Sequence, residues 1–536
     1  MPESLTAQIH RQTMSRSGQI ALSVPGSTDP TQSEEITYAE FGSLTARYIA
    51  GFKAAGIKRG DRIILLFPMS ISMVAMITAL LAMGAVPTFV DPGMGLRRTL
   101  QALKVACAKA VVSTDRLLRF RFLIPGLHGR LCYSTDGVRG IPAGVLCHPE
   151  AAVWPQPSEE DEDGEGIITF TSGTGSMPKA ANRTRSILTH QVHALRSLWQ
   201  PAPGEVSMSC FPISTLFYLS QGVTCILPAV DLARPGTVRP ELIIDQMKKH
   251  KVTSLFAAPA FLEGVMDELA RQPALPGLQT IVTGGAPVPF RLCEKVCRLF
   301  PDSENVILYG STEAEPVSKI SMHEVLPEKT DRGYPVGLPV SAARVQIIRA
   351  DDRAIQGISE ATLQSMATAP LEVGELIVSG SHVVEEYLNH PEANRRTKIR
   401  TLEGRLWHRT GDLACFDYAG RIRLTGRRGD VIQEAGRNWQ PFLMEAVLDG
   451  LPGVQRSALI ACKGRPLVCI ETVPGWQGPS VTTDVRQVLQ DYGLGAEVLL
   501  HPIPVDNRHN SKIDRAALRT GLGKAGIGVL ETKSAI

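Results

Sequence analysis

Residues 168–180 (ITFTSGTGSMPKA) place hydroxyl side chains, glycines and a lysine directly after an apolar, strand-like run. Thr171, Ser172 and Thr174 are hydroxyl donors. Gly173 and Gly175 let backbone N–H groups turn toward an anion, and Lys179 adds a mobile positive charge. The combination reads as a loop that holds phosphates, most simply those of a nucleotide. The order G-x-x-x-x-G-K-[ST] is absent, so this is not a Walker loop. Taken alone, the run also reads as an ordinary Ser/Thr/Gly-rich surface loop.

Three further clusters carry compatible chemistry. In residues 308–314 (LYGSTEA), Tyr309 offers a ring that could stack on a base, and Gly310 offers a turn. A hydroxyl there could donate to phosphate, and Glu313 could hold Mg²⁺, a hard cation that takes oxygen ligands and bridges to nucleotide phosphates. In residues 407–412 (WHRTGD), Asp412 beside a glycine turn could accept from ribose hydroxyls. Arg427, after Gly426, could pair with phosphate or ribose oxygens. The fourth cluster, residues 508–513 (RHNSKI), contains Lys512, which in isolation reads as a solvated surface charge.

These clusters need elements to position them. Residues 36–125 alternate helix and strand: helical spacing over 38–55, a short strand over 62–67, a helix over 70–83, a strand over 85–90, a helix over 96–106 and a strand over 110–113. That alternation predicts a parallel sheet covered by helices. Residues 158–166 (SEEDEDGEG) read as an exposed acidic linker. Alternation resumes over 223–283. From about 372 to 423 short strands separated by glycines predict an antiparallel or barrel-like subdomain. After a polar break at Arg427-Arg428-Gly429-Asp430, segments 443–448, 458–461, 466–471 and 485–492 predict a small α+β unit. The fold class is therefore α/β: a large N-terminal domain of helix-covered sheets with a barrel-like subdomain, then a small C-terminal domain.

The bulk numbers narrow the function classes. The chain has 536 residues, enough for two or more domains, and 43% hydrophobic residues support a sizeable core. Lys plus Arg number 56 against 53 Asp plus Glu, so no nucleic-acid footprint is expected. The ten cysteines form no paired framework, and Cys293 and Cys297 lack a neighbouring cluster that would complete a metal site. They read as free thiols in a reducing compartment. Residues 1–19 have no apolar leader. Cytoplasmic location is the expectation. Residues 69–90 are apolar but carry Ser70, Ser72, Gly84 and Pro87. They read as a buried helix feeding a buried strand, with no transmembrane span; peripheral membrane contact stays open.

In order and spacing, the four clusters resemble the adenylate-forming superfamily of acyl-CoA synthetases, luciferase-like enzymes and peptide-synthetase adenylation domains. The resemblance covers roughly residues 35–520. It implies a small-molecule carboxylic acid whose oxygen attacks the α-phosphorus of ATP, giving an acyl-adenylate and pyrophosphate. By that resemblance Thr171, Ser172, Gly173, Thr174 and Lys179 hold pyrophosphate, and Gly284, Gly285, Ala286 and Pro287 line the adenine pocket. Tyr309 stacks on the base beside Gly310, Thr312 contacts the α-phosphate, and Glu313 ligates Mg²⁺. Asp412 holds the ribose with Arg427 beside it, and Lys512 reaches in from the C-terminal domain. The implied division is 1–426 for the adenylation domain and 427–536 for a mobile lid, hinged near Gly429.

Two departures stand out. Relatives usually read T-S-G-T-T-G-x-P-K where this chain has T-S-G-T-G-S-M-P-K. Relatives also often carry a histidine before the acyl pocket, whereas residues 211–218 (FPISTLFY) have none. Phe211, Leu216 and Phe217 therefore suggest an apolar acyl pocket suited to an alkyl chain, though the same run also reads as plain core.

Several stretches resemble the β-lactone synthetases of bacterial olefin biosynthesis, among them 90–93 (VDPG), 309–317 (YGSTEAEPV) and 504–513 (PVDNRHNSKI). In those enzymes the substrate's own 3-hydroxyl displaces AMP. Residues 426–445 are closer to ordinary acyl-CoA ligases. Lactone closure, thioester formation with CoA and transfer to a carrier protein thus remain three second steps. Association with other pathway enzymes stays open beside peripheral membrane contact.

Overall fold

The computed structural model describes residues 3–524 except 27–28, 91–93, 136–152, 156–163, 172–176, 231–237, 273, 275, 328–331, 352, 463 and 507–511. Length separates the apolar runs into helices and strands. Short runs rich in branched residues, Arg62–Leu66 and Ala110–Ser113, are strands. The longer run Ile71–Ala82 is a helix capped by the Ser70 hydroxyl, buried from Met73 through Leu81. It packs in the largest core with the helix Tyr38–Ala54, whose first turn Thr37 and Glu40 close with a capping box. Among the described residues no helix is long and apolar enough to cross a membrane.

One sheet has seven strands, parallel at its centre. It contains β1 (Glu165–Thr171) and β2 (Lys179–Thr184), an antiparallel hairpin in which Thr171 faces Lys179. The described residues on either side of the segment expected to hold phosphates are thus paired strands. Glu165 and Gly166, expected in a linker, instead begin β1. Arg62 holds Glu165 by a hydrogen bond of 2.7 Å, and a Cβ at Gly166 would lie 2.4 Å from the Arg183 carbonyl oxygen. An ion pair and a close approach that only glycine permits outweigh the polar composition.

The second sheet is fourteen-stranded. Its parallel part includes Ser254–Ala257, β3 (Thr280–Gly284) and β4 (Glu304–Ser311). Direction reverses at a tight turn into β5 (Ala314–Ser321), with Ser311 opposite Ala314. The two-residue strand β6 (Tyr387–Leu388) joins the edge of the seven-stranded sheet by pairing with β2. Just before it, the Val384 N–H donates to the Glu313 carbonyl. The chain around β6 therefore ties the two sheets together. The glycine-punctuated region forms antiparallel strands that continue the second sheet, among them β7 (Leu406–Phe416) and β8 (Ile422–Arg427).

Beyond Asp430, strands Val454–Cys462, Arg465–Thr472 and Glu497–Leu500 form a separate three-stranded sheet. Met444, Leu448, Val485 and Leu489 cover one face, and Leu518 and Leu522 the other. The helix Pro441–Leu448 also touches the large unit, where Phe442 meets the edge of the Tyr334 ring at 6.3 Å.

Asp449 ends that helix. Its carboxyl accepts from the Ser457 N–H at 2.6 Å and hydroxyl at 2.7 Å. Burial raises its pKa to about 7. A folded-state value above the unfolded one of about 4 leaves the contribution to stability intact at low pH and removes it as pH rises through about 7. Compared with Asp449→Asn, the wild-type protein is expected to lose stability between about pH 4 and about pH 7. Urea melts of both proteins across that range check this; a parallel pH dependence would refute it.

Candidate active site

The loops singled out in the sequence follow the carboxyl ends of strands. Thr171 ends β1, Gly284 ends β3, and Tyr309 to Ser311 end β4. In open α/β sheets ligands bind at that edge. Gly285 has φ +82°, a left-handed conformation glycine adopts without a Cβ penalty, and it turns the chain out of β3. Ser172, Gly173 and Thr174 lie outside the described residues.

Lys179 and Glu313 meet through Tyr387. The Lys179 ammonium lies 5.2 Å from the centre of the Tyr387 ring, and the Tyr387 hydroxyl donates to Glu313 Oε1 at 2.7 Å. A second ammonium, Lys398, lies 5.4 Å from the same ring and donates to the Val384 carbonyl. The tight turn Thr312-Glu313 buries the carboxylate of Glu313 and leaves Thr312 half-buried. Burial works against the Glu313 charge, but His408, the Tyr387 hydroxyl and Lys398 hold its pKa down at about 2. Burial lowers Lys398 to about 7, against the support of Glu313. His408 drops to about 3, chiefly through burial and then Lys398, and is neutral near pH 7. Lys179 is also lowered, by burial, with Glu313 supporting its charge and Arg427 opposing it.

Asp412 forms the other half of the site. It follows Gly411, whose φ of +73° bends β7. The Tyr309 hydroxyl donates to Asp412 Oδ2 at 2.7 Å, and Arg427 Nε lies 2.9 Å from Oδ1. Arg427 also donates to the Thr410 carbonyl at 3.0 Å. Burial, and next the Asp412 charge, push the Tyr309 hydroxyl upward, so it stays a donor. The Arg427 charge opposes that of Lys179 and pulls the Tyr309 and Tyr387 hydroxyls down against their burial.

The neighbouring Arg409 has a different role. It is buried against Glu375, with Nε donating to Oε2 at 3.0 Å and Nη1 to the Arg353 carbonyl at 2.8 Å. It locks β7 to the strand Gly374–Ser379. Arg409→Met is expected to cost about 3 kcal/mol of stability, because it strands a buried carboxylate. Arg428, 3.3 Å from the same oxygen, limits the loss. Denaturant melts check this, and an unchanged midpoint would refute it.

Donor chemistry tests the fit of Mg²⁺. Among the described residues no group of three or more His, Cys, Asp or Glu side chains could hold a metal. A lone ionised carboxylate still suits Mg²⁺, which is usually held by one or two carboxylates together with substrate phosphates and water. Glu313 fits that part.

The other expected residues are placed as follows. Gly310 lies in the tight end of β4, where an added Cβ would come within 3.0 Å of the Ala314 carbonyl oxygen. Ala286 is half-buried in the bend after β3. Leu216 and Phe217, at 1% and 0% exposure, are enclosed in the largest core, and half-buried Phe211 packs edge-on against Phe256 at 5.3 Å. Lys512 is exposed on the small C-terminal unit, its N–H donating to Asp506 Oδ1 at 2.9 Å. It is the one expected residue on that unit. Tyr387 and Lys398 lie in no motif of the sequence. The pairing of β6 with β2 and the Val384–Glu313 hydrogen bond bring Tyr387 to Glu313, and the strand Lys398–Arg400, paired with β7, places Lys398.

The family model described as AMP-binding enzyme matches residues 10–388. An olefin beta-lactone synthetase of Xanthomonas campestris pv. campestris is 30% identical, covering 96% of each chain. A feruloyl-CoA synthase of Amycolatopsis sp. is 28% identical over 79% of this chain and 80% of its own. In fold, the chain matches an O-succinylbenzoate coenzyme A synthetase of Bacillus subtilis, solved in complex with ATP and magnesium ion. The TM-score is 0.76 at 20% identity, covering 97% of this chain and 99% of the other.

Proposed function

The chain belongs to the AMP-binding enzyme family and is an adenylate-forming ligase; on that premise we propose that it activates a fatty or 3-hydroxy fatty acid as acyl-AMP and closes the 3-hydroxy acid to a β-lactone. The observation that carries the reading is a pair of clusters joined by the short stretch from Tyr309 to Glu313: Lys179 over the Tyr387 ring with the Tyr387 hydroxyl on Glu313, and Asp412 between the Tyr309 hydroxyl and Arg427. The loops bearing them are those expected to hold one ATP.

In the first step a carboxylate oxygen of the acid bonds to the α-phosphorus of ATP, and the bond to pyrophosphate breaks. Lys179 offsets charge on the departing pyrophosphate, Thr312 donates to the α-phosphate, and Asp412 accepts from the ribose. Glu313 would hold Mg²⁺ from the protein side, and the bound ion would supply charge neutralisation to the phosphates. Lys512 reaches the charge developing between carboxylate and α-phosphorus. That role needs the small unit to swing. Gly429 suits the hinge, since Arg428 on one side holds the Asp351 carbonyl of the large unit and Asp430 on the other faces Arg515 of the small one. A Cβ at Gly429 would meet nothing within 4 Å.

In the second step the substrate's 3-hydroxyl oxygen bonds to the acyl carbon, AMP leaves and the hydroxyl proton is lost. Both reacting groups belong to one bound molecule, which gives closure an entropic advantage. The near-full-length likeness to an olefin beta-lactone synthetase supports this step. The second reading, an acyl-CoA ligase, is supported by residues 426–445 and by the feruloyl-CoA synthase relative. Transfer to a carrier protein ranks third. Incubation of a 3-hydroxy fatty acid with ATP and Mg²⁺, with and without CoA, separates them. Lactone and AMP without CoA are the expected products; strict dependence on CoA would establish the second reading instead.

A further inference from the structure

Residues 96–131 are set apart by charge: eight basic side chains against one acidic, Asp115, which is buried. The helix Leu96–Val105, the short helix Asp115–Leu118 and the turns Arg121–Leu123 and Pro125–Leu127 lie along the edge strand Leu131–Ser134 of the seven-stranded sheet. The turn at Gly126 presses on the helix so closely that an added Cβ would lie 2.6 Å from Leu103 Cβ. Helix and turns therefore form one projection.

The tip of that projection is apolar and exposed. Phe120, Phe122 and Leu123 show 57%, 71% and 77% exposure. They alternate with Arg119 and Arg121, and the Arg121 guanidinium lies 4.5 Å from the centre of the Phe122 ring. Arg116 is exposed one turn earlier, and exposed Leu96 and Arg97 open the adjoining helix. Apolar tips interleaved with arginines match the boundary between lipid headgroups and acyl chains, where rings enter the apolar layer and guanidinium groups reach anionic headgroups.

We propose that the projection formed by residues 96–131 docks this enzyme on anionic lipid surfaces, with Phe120, Phe122 and Leu123 inserted and Arg116, Arg119 and Arg121 facing headgroups. Charge complementarity selects this occupant. An acidic protein would satisfy the arginines but would leave the need for three adjacent exposed apolar tips unexplained. The proposal rests on this surface alone and is independent of which acid the enzyme activates.

Sedimentation of the full-length protein with phosphatidylcholine vesicles, plain or containing roughly one third phosphatidylglycerol, tests it. The protein is expected to pellet with the anionic vesicles and to be released by high salt. The double variants Phe122→Ser/Leu123→Ser and Arg119→Glu/Arg121→Glu are each expected to lower partitioning about tenfold or more. Their thermal midpoint and pyrophosphate release with a water-soluble short acid should not change. Three results would overturn the proposal: no binding to either vesicle, equal binding to both, or binding indifferent to the variants. Self-association lost in Phe122→Ser/Leu123→Ser without vesicle binding would assign the face to a second copy of the chain, and retention on an acidic protein alone would assign it to such a partner.

Discussion

Lys512→Ala is expected to slow pyrophosphate release from ATP and acid by roughly 10²–10³-fold, the scale found when one donor to a developing oxyanion is removed. Two negatively charged groups must approach in the first step, and a positive charge placed between them acts most strongly where charge is building. The side chain is exposed, and the local chain is held by backbone contacts: the Lys512 N–H to Asp506, and the Asp506 N–H back to the Lys512 carbonyl at 2.8 Å. The thermal midpoint should therefore stay within about 1 °C, as for most exposed substitutions. Supplied with preformed acyl-adenylate, the variant should still release AMP at close to the wild-type rate, because the lysine acts before that point. Equal loss in both half-reactions would mean that Lys512 serves the fold or substrate binding, not the first step.

Glu313→Gln is expected to reduce pyrophosphate release by roughly a hundredfold or more and to raise the Mg²⁺ concentration needed for half-maximal rate. The substitution keeps shape and an acceptor for Tyr387 but removes the charge. The effect spreads, because Glu313 supports the charge on both Lys179 and Lys398. Lys398 already lies near pH 7 and would deprotonate further without the carboxylate. Tyr387→Phe keeps the carboxylate and removes only the 2.7 Å hydrogen bond, so a milder loss of about tenfold is expected. Magnesium titrations of the rate with both variants check the order; a Tyr387→Phe effect equal to that of Glu313→Gln would place the tyrosine, not the carboxylate, at the centre.

The parts of this site legible in the sequence are those whose chemistry is local. Tyr309, Thr312 and Glu313 fall in one turn, and Gly411 and Asp412 in one bend, so a short window holds both the side chains and the glycines that aim them. The meeting of those windows was not legible without the resemblance, because it depends on long-range pairing. Tyr387 reaches Glu313 through β6, two residues long and without a periodic signal, and through the Val384–Glu313 hydrogen bond just before it. Arg409 shows the opposite problem. It lies inside a functional-looking motif, yet its guanidinium is engaged by Glu375 from a neighbouring strand. Composition misled at Glu165 and Gly166, where an ion pair with Arg62 draws acidic residues into a strand. For Leu216 and Phe217 an apolar run fits pocket and core alike, and both side chains are buried within the largest hydrophobic cluster.

The central claim is that a carboxylate oxygen attacks the α-phosphorus of a single ATP held by Lys179, Glu313 and Asp412. Heavy-oxygen labelling of the acid tests it most directly. With both carboxylate oxygens labelled, one label is predicted to appear in AMP once the acyl group has moved on, and none in pyrophosphate. Label in inorganic phosphate, or AMP formed without label, would contradict the account.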